Sequence, residues 1–129
     1  MLNQSGVTTV NAVTPKSILW DSQLAFAVPC TMDSTGISAG SDGKKIAKAG
    51  TPITGDPTNR GTAYTKATTS ASSNASGILL HDVDVTSGKA NATVLLFGFV
   101  DLNKIDTTTA ADITTDVKTA LAGKITFLK

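Results

Sequence analysis

The alternation of apolar and polar positions first becomes regular at residue 24. In the segment LAFAVPC, larger apolar residues at positions 24, 26, 28 and 30 alternate with Ala and Pro. A period of two residues is typical of a half-buried β-strand, and we predict one here. Pro29 lacks the N–H group that a neighbouring strand requires, so this strand is predicted either to lie at a sheet edge or to end at Pro29. The predicted inward face consists of Leu24, Phe26, Val28 and Cys30.

Two later segments are the most apolar of the chain and are separated by a turn at residues 87–89. They are GILLHDVDVT (77–86) and ATVLLFGFV (92–100). In the second segment both alternating faces are apolar, with Leu95, Phe97 and Phe99 on one of them, which predicts a central strand buried on both sides. Gly98 lies inside this strand and indicates a β-bulge or the close approach of another backbone.

Near the C-terminus the apolar spacing changes from two residues to three or four. Between Ala110 and Leu121 this spacing predicts one short helix, with Thr109 as N-cap and Gly123 just beyond the last turn. Its apolar face consists of Ile113, Val117, Ala120 and Leu121. A final strand is predicted at 124–128.

β-Branched residues dominate the composition: of 129 residues, 21 are Thr, nine are Val and eight are Ile. They favour a mainly β fold, and we predict a small β-sandwich or barrel-like domain over residues 17–129 with one short C-terminal helix. Residues 1–16 are polar with few apolar side chains and are predicted to form an extended N-terminal arm. Residues 54–76 contain only Ala and one Tyr as apolar residues, which predicts an exposed loop with a short strand near 63–66.

The charged residues limit the classes of function that we expect. A net charge of +1 provides no field that would attract nucleic acid or an anionic membrane, and no apolar run approaches the roughly 20 residues of a membrane helix. All ten acidic residues are Asp, and there is one His, so groups for acid–base catalysis are scarce. We therefore expect a non-enzymatic protein without a cofactor.

His81 and its acidic neighbours are the first candidates for chemistry. On a strand, Asp82 and Asp84 would share one face, while His81 would lie on the other face with Val83 and Val85. Two carboxylates could bind a divalent cation, but the segment lacks the further acids and the Gly of a calcium loop. A solvated strand face and a partly buried His81 are therefore favoured over a metal or catalytic site.

Cys30 and three lysines have structural interpretations that we also favour. Cys30 lies in an apolar strand with no His near it in sequence, which indicates a packed thiol and not a nucleophile. Lys44, Lys45 and Lys48 lack the glycine spacing of a phosphate-binding loop. Basic side chains on an edge strand prevent edge-to-edge aggregation, which accounts for this cluster.

Three segments, taken in order along the chain, carry a resemblance to one protein family. They are residues 24–55 (LAFAVPCTMDSTGISAGSDGKKIAKAGTPITG), 77–105 (GILLHDVDVTSGKANATVLLFGFVDLNKI) and 119–129 (TALAGKITFLK). Together they resemble the head decoration and head-fibre proteins of tailed bacteriophages. The similarity covers somewhat more than half of the chain and includes neither residues 1–16 nor the middle of the polar loop.

The resemblance implies a β-rich domain that sits as a homotrimer on the outer surface of a phage capsid. The partner would be the major capsid protein, and the protein would be located on the virion after synthesis in the host cytoplasm. Because the family often uses an extended arm for attachment, the candidate capsid-binding residues are Val7, Val10, Val13 and Trp20. A core position for Trp20 is an equal alternative. The expected function is to stabilise the expanded head, with no catalytic residues.

A carbohydrate-binding β-sandwich module on a virion or cell surface is the alternative function. Such modules usually expose several aromatic side chains that stack on sugars, whereas aromatic residues make up 5% of this chain and mostly fall in strand patterns. A small hydrolase is a weaker third alternative, because the sequence offers no set of nucleophile, base and acid.

Overall fold

The computed structural model of the protein describes residues 17–20, 22–59 and 61–129. The fold is mainly β, as predicted. The strands are β1 (Phe26–Met32), β2 (Ile46–Ala47), β3 (Pro52–Thr54), β4 (Thr65–Lys66), β5 (Gly77–Leu79), β6 (Val83–Asp84), β7 (Ala90–Asp101) and β8 (Ile125–Leu128). The α-helices are α1 (Thr107–Ala110) and α2 (Thr115–Ala120), and single 3-10 turns occupy Ser22–Leu24 and Leu102–Lys104.

Six strands form one sheet. Five of them follow the order β1-β7-β5-β3-β4, and the sixth, β8, pairs with β7 outside this path. The pairings are antiparallel except that of β7 with β8, which is parallel. The sheet is not closed into a barrel, so the barrel-like alternative is wrong. β1 ends the path, which confirms the edge position predicted from Pro29. A second sheet contains only β2 and β6.

The main sheet is covered on both faces because its central strands are apolar on both sides. The consecutive residues Val94 and Leu95 of β7 are fully buried in two different clusters of the core. Leu95 packs in the cluster that contains Val117 of α2, whereas Val94 packs in the cluster that contains Ala47 and Val83 of the small sheet. The predicted central strand, buried on both faces, is thus confirmed.

The C-terminal helical segment is divided in two, so the prediction of one helix over 110–121 is wrong. The Asp106 carboxylate accepts the N–H of Thr108 and begins α1, while the Thr114 hydroxyl accepts the N–H of Val117 and begins α2. Thr109, the predicted N-cap, is buried inside α1. Apolar spacing located the inward residues correctly, but Asp and Thr side chains that hydrogen-bond to the backbone ended and restarted the helix.

The segment 77–86 is also divided, because β5 belongs to the main sheet and β6 to the small one. Val83 and Val85 are buried, but His81 is exposed in the turn between the strands, so its predicted partly buried position is wrong. The Asp82 carboxylate accepts the N–H of Ala49 at 2.7 Å. This contact joins the turn to the loop that follows β2.

The stretch 54–76 is exposed over much of its length but is anchored at several points. Tyr64, Ala67 and Ala75 are buried, and the short strand expected near residues 63–66 is present as β4. The Thr114 hydroxyl donates to the carbonyl oxygen of Thr69 at 2.6 Å. The stretch is therefore attached both to the core and to the helical layer.

Candidate docking surface

Four large apolar side chains are strongly exposed in the part of the chain that the structure describes. Trp20, Leu24, Phe26 and Phe97 each expose between 50% and 59% of their surface. We call these four residues the apolar patch. With about 150–250 Å² for each aromatic side chain, half exposure leaves roughly 300–400 Å² of apolar surface. Patches of about this size on a monomer are often functional.

Phe97 is part of β7, and the backbones of the other three patch residues contact β7 between Phe97 and Phe99. Phe26 and Phe97 are register partners of the β1–β7 pair, so their side chains project on the same face of the sheet. The N–H of Trp20 donates to the carbonyl oxygen of Phe99 at 2.9 Å. The four side chains therefore belong to one end of the sheet.

Gly98 permits this arrangement because the backbone of the chain before β1 lies directly against it. A Cβ atom at Gly98 would lie 3.2 Å from the carbonyl oxygen of Leu24 and 3.3 Å from the Cα of Ala25, and the φ of Gly98 is +150°. The β1–β7 register also shifts between Phe26 and Ala27, as in a β-bulge. Both features predicted from Gly98 are confirmed.

The β-bulge explains why the buried position predicted for Phe97 is wrong. This residue was expected on the buried face with Leu95, but the extra residue in β7 turns it away, and it is half exposed. Leu24 and Phe26 are exposed for a different reason. Val28 and Cys30, farther along the same chain segment, pack against the core, whereas Leu24 and Phe26 lie beyond the layer that covers it.

The outer edge of β1 beside the patch is open. Tyr64 pairs with this edge only at its far end, where its N–H donates to Thr31 and its carbonyl oxygen accepts from Asp33. No strand of the described chain pairs with the outer edge before Thr31. Pro29, in the middle of β1, is exposed and removes one donor from the edge.

Of the predicted capsid-binding residues, the structure describes only Trp20, which it places on the surface and not in the core. Val7, Val10 and Val13 lie outside the described residues. The structure therefore adds Leu24, Phe26 and Phe97 to the one predicted residue that it describes. All three were predicted to lie on buried faces from their alternation, and the sequence carries no local signal for their exposure.

Sequence analysis weighed His81, Asp82, Asp84 and Cys30 as metal-binding or catalytic residues. Within residues 17–20, 22–59 and 61–129, no group of three or more His, Cys or acidic residues could hold a metal ion. Hydrogen bonds from the hydroxyl and the N–H of Thr86 lower the pKa of Asp84 below its ordinary value. Burial raises the pKa of the half-buried Cys30 thiol, which disfavours a nucleophilic thiolate.

The three lysines flank the small sheet. Lys44 and Lys48 are exposed on either side of β2, and the backbone N–H of Lys45 donates to the Thr86 hydroxyl at 2.8 Å. Because β2 pairs only with β6, these residues lie beside an edge strand. Their placement agrees with the role in edge protection that we favoured.

Tyr64 is a residue of interest that sequence analysis missed. Its side chain is 2% exposed, and its hydroxyl has no hydrogen-bond partner among the described residues. Burial, together with the nearby Cys30 and Asp56, raises the pKa of this hydroxyl above its ordinary value. The only available signal was a single Tyr within a long polar stretch.

No protein-family model matches the chain, and no curated protein matches it. None of the helices in the described residues is long and apolar enough to cross a membrane.

Proposed function

We propose that this protein is a non-enzymatic structural protein of a bacteriophage virion that binds the outer surface of the capsid and stabilises the expanded head. The observation that carries the proposal is the apolar patch, four large side chains exposed at one end of an otherwise well-covered sheet. The ordered resemblance of three chain segments to phage decoration and head-fibre proteins supports the major capsid protein as the partner.

The patch has the composition of the centre of a protein interface. Trp is enriched among the residues that contribute most binding energy, and aromatic residues are enriched at the buried centre of such contacts. Roughly 300–400 Å² is about half of the 800 Å² that each partner contributes to a standard interface, so further contacts are needed. Residues 1–16 can supply them, since Trp20 follows only a few residues later and the segment contains Val7, Val10 and Val13.

Stabilisation would follow from mass action. A protein that binds the expanded lattice, and not its precursor, lowers the free energy of the expanded form by its binding free energy. Many copies on one shell add their contributions, and an oligomer that contacts several capsid subunits at once gains from multivalency. Under these conditions the patch and the further contacts can each be of modest area.

Co-sedimentation with purified capsids tests this function. We expect the wild-type protein to pellet with expanded heads and not with procapsids, because the family's attachment sites mature with the lattice. Trp20→Ala combined with Phe26→Ala should weaken binding about 30-fold or more, the factor for an interface hot spot of about 2 kcal/mol. Both side chains are half exposed, so the variant should keep the wild-type circular dichroism spectrum.

Lys89→Ala is the matched control, since Lys89 is exposed in the turn before β7 and is no part of the patch. It should pellet like the wild type. Equal binding of the wild-type protein to both particle forms, or binding to neither, would contradict the proposal. Unchanged binding of the double variant would show that the patch is not the attachment surface.

A further inference from the structure

The largest groove of the described structure lies where residues 1–16 join it. The groove measures about 920 Å³ and is lined by Ile18 together with residues 48–49, 81–82 and 103–107. Ile18 is almost fully buried, and its carbonyl oxygen accepts the N–H of Asp101 at 2.9 Å. The point from which residues 1–16 begin is therefore fixed at the wall of this groove.

The groove combines an aliphatic floor with a rim of no net charge. Ile18 and Ile105 are almost fully buried, and Ala49 is half-buried, so aliphatic carbon forms the base. The charged side chains of the rim are two lysines and two aspartates, Lys48, Lys104, Asp82 and Asp106. Because these charges cancel, the rim gives a charged ligand no advantage over a neutral one.

Hydrogen-bonding groups of both kinds remain on the rim. Asp82 and Asp106 each accept one backbone N–H, at 2.7 Å and 3.2 Å, and a carboxylate has room for further donors. The Asn103 amide and the lysine ammonium groups are donors on the same rim. A neutral segment that both donates and accepts suits this rim, and polypeptide backbone with Asn and Thr side chains is of this kind.

The segment of this chain that lies just before the groove has matching chemistry. Residues 10–15 read VNAVTP, and no charged side chain precedes Lys16. Val10 and Val13 are small aliphatic side chains of the kind that fit the floor. The Asn and Thr that alternate with them can donate to and accept from the rim.

The covalent link makes docking of this segment easy to reach. Val13 lies five residues before Ile18, and five extended residues span at most about 18 Å. Pro15 fixes its own φ and restricts Thr14 to extended conformations, so less conformational entropy is lost on docking. Through a short linker the effective concentration is about millimolar, so a contact too weak to hold a separate peptide is populated within one chain.

We propose that residues 10–15 dock in this groove in the free protein, with Val13 on the aliphatic floor and the following two residues as the linker. The occupant is thus the protein's own N-terminal segment. The location of the junction, the neutral rim and the neutral, Val-containing segment together carry the inference.

Docking would add one property to the proposed function. Val10 and Val13 are candidates for capsid attachment, and docking keeps both covered until the capsid competes for them. Only this consequence rests on the proposed function. The docking itself is tested without capsids, so it can fail while capsid binding succeeds, and the reverse outcome is equally distinguishable.

A nitroxide spin label on the segment tests where it lies. The full-length, ¹⁵N-labelled protein carries Asn11→Cys in a Cys30→Ser background, which leaves one thiol for the label. The label should broaden the amide resonances of groove residues, Ala49 and Asn103 among them, more than that of Phe97 in the patch. Reduction of the label supplies the reference spectrum.

Matched substitutions then test the contact with the floor. In the labelled protein, Val13→Asp places a charge over aliphatic carbon and should weaken docking about tenfold, the factor for losing the burial of one Val side chain. Most of the broadening at the groove should then be lost. Val7→Asp makes the same change outside the docked segment and should retain it.

A mixture distinguishes docking within one chain from docking between copies. The spin-labelled protein, without ¹⁵N, is mixed with ¹⁵N-labelled wild-type protein that carries no spin label. The groove resonances of the wild-type protein should stay sharp in this mixture, because each segment occupies the groove of its own chain.

Several results would overturn the inference. They are broadening that is uniform over the surface, broadening centred on the apolar patch, and equal effects of Val13→Asp and Val7→Asp. Broadening of the groove resonances in the mixture would assign the groove to the segment of a second copy, and docking within one chain would be wrong.

Discussion

Tyr64 combines close packing with a buried polar atom that is not satisfied. A Cβ atom at Gly55 would lie 2.6 Å from the Tyr64 ring, so the ring fills the space beside that glycine. Its hydroxyl, by contrast, lacks a partner among the described residues. A buried hydroxyl without a hydrogen bond costs about 1–3 kcal/mol of stability.

Tyr64→Phe should therefore stabilise the protein by about 1 kcal/mol, because it keeps the ring and removes the unsatisfied atom. Urea unfolding measures this as a higher midpoint at an unchanged slope. As a control, Tyr64→Leu loses the ring and should destabilise the fold by about 1–3 kcal/mol.

A lower midpoint for Tyr64→Phe would contradict this account and would mean that the hydroxyl has a partner. The pH dependence gives a second readout. Because burial raises the pKa of Tyr64 in the folded state, the unfolded chain releases the proton first. Wild-type stability should fall as the pH rises through the ordinary Tyr value of about 10, and the Phe variant should lack this part of the loss.

The exposure of individual residues was less predictable than their secondary structure. Alternation from Leu24 to Cys30 located most of β1, yet it could not show that Leu24 and Phe26 lie beyond the layer that covers the sheet. For Phe97, the face depends on the bulge that precedes Gly98, and one inserted residue reverses the orientation of every side chain beyond it. The sequence around Trp20 has no periodicity that would predict either a buried or an exposed position.

At the scale of elements, the sequence predicted the strands and the helical face that a local pattern of apolar residues specifies. The central strand β7, the last strand β8 and the inward face of the helical segment all follow from apolar spacing. Local caps at Asp106 and Thr114 divide the helical segment, and distant contacts also hold the two segments that the structure divides. Asp82 binds the backbone of Ala49, and Thr114 binds that of Thr69, 45 residues away in sequence. No local pattern contains that information.

Thr114 makes a testable contribution to stability, because its hydroxyl both caps α2 and binds the polar stretch at residues 54–76. It accepts the N–H of Val117 at 3.3 Å and donates to Thr69 at 2.6 Å. Thr114→Ala loses both contacts and should destabilise the protein by about 1–2 kcal/mol in urea unfolding.

Two companion variants make this result specific. Thr114→Ser keeps the hydroxyl and should stay close to the wild type. Thr115→Ala, at the next and exposed position, should change stability by less than about 0.5 kcal/mol. If Thr114→Ala proved as stable as Thr115→Ala, the hydroxyl would have no role in joining the stretch to the helix.

At the scale of the whole molecule, one short segment connects the two surfaces of interest. Ile18 lines a groove of about 920 Å³ together with residues 48–49, 81–82 and 103–107, while Trp20, two residues later, belongs to the apolar patch. The carbonyl oxygen of Ile18 accepts from Asp101, and the N–H of Trp20 donates to Phe99, so the segment follows the end of β7. A partner that covers this end of the molecule could contact both surfaces at once.

The open sheet leads to the last prediction, a homotrimer on the particle. The outer edge of β1 is unpaired over its first residues, and β8 pairs only with β7 among the described strands. A symmetric ring can cover such edges, and the family resemblance supplies the number three. A stable trimer in free solution is not required, because an interface of modest area can depend on the lattice to hold three subunits together. The decisive measurement is therefore a reconstruction of decorated heads. It should show threefold density at local threefold positions of the shell, so that three patches meet three equivalent capsid surfaces. Density for isolated monomers, or for dimers on twofold axes, would refute the trimer, whatever the oligomeric state of the free protein in solution.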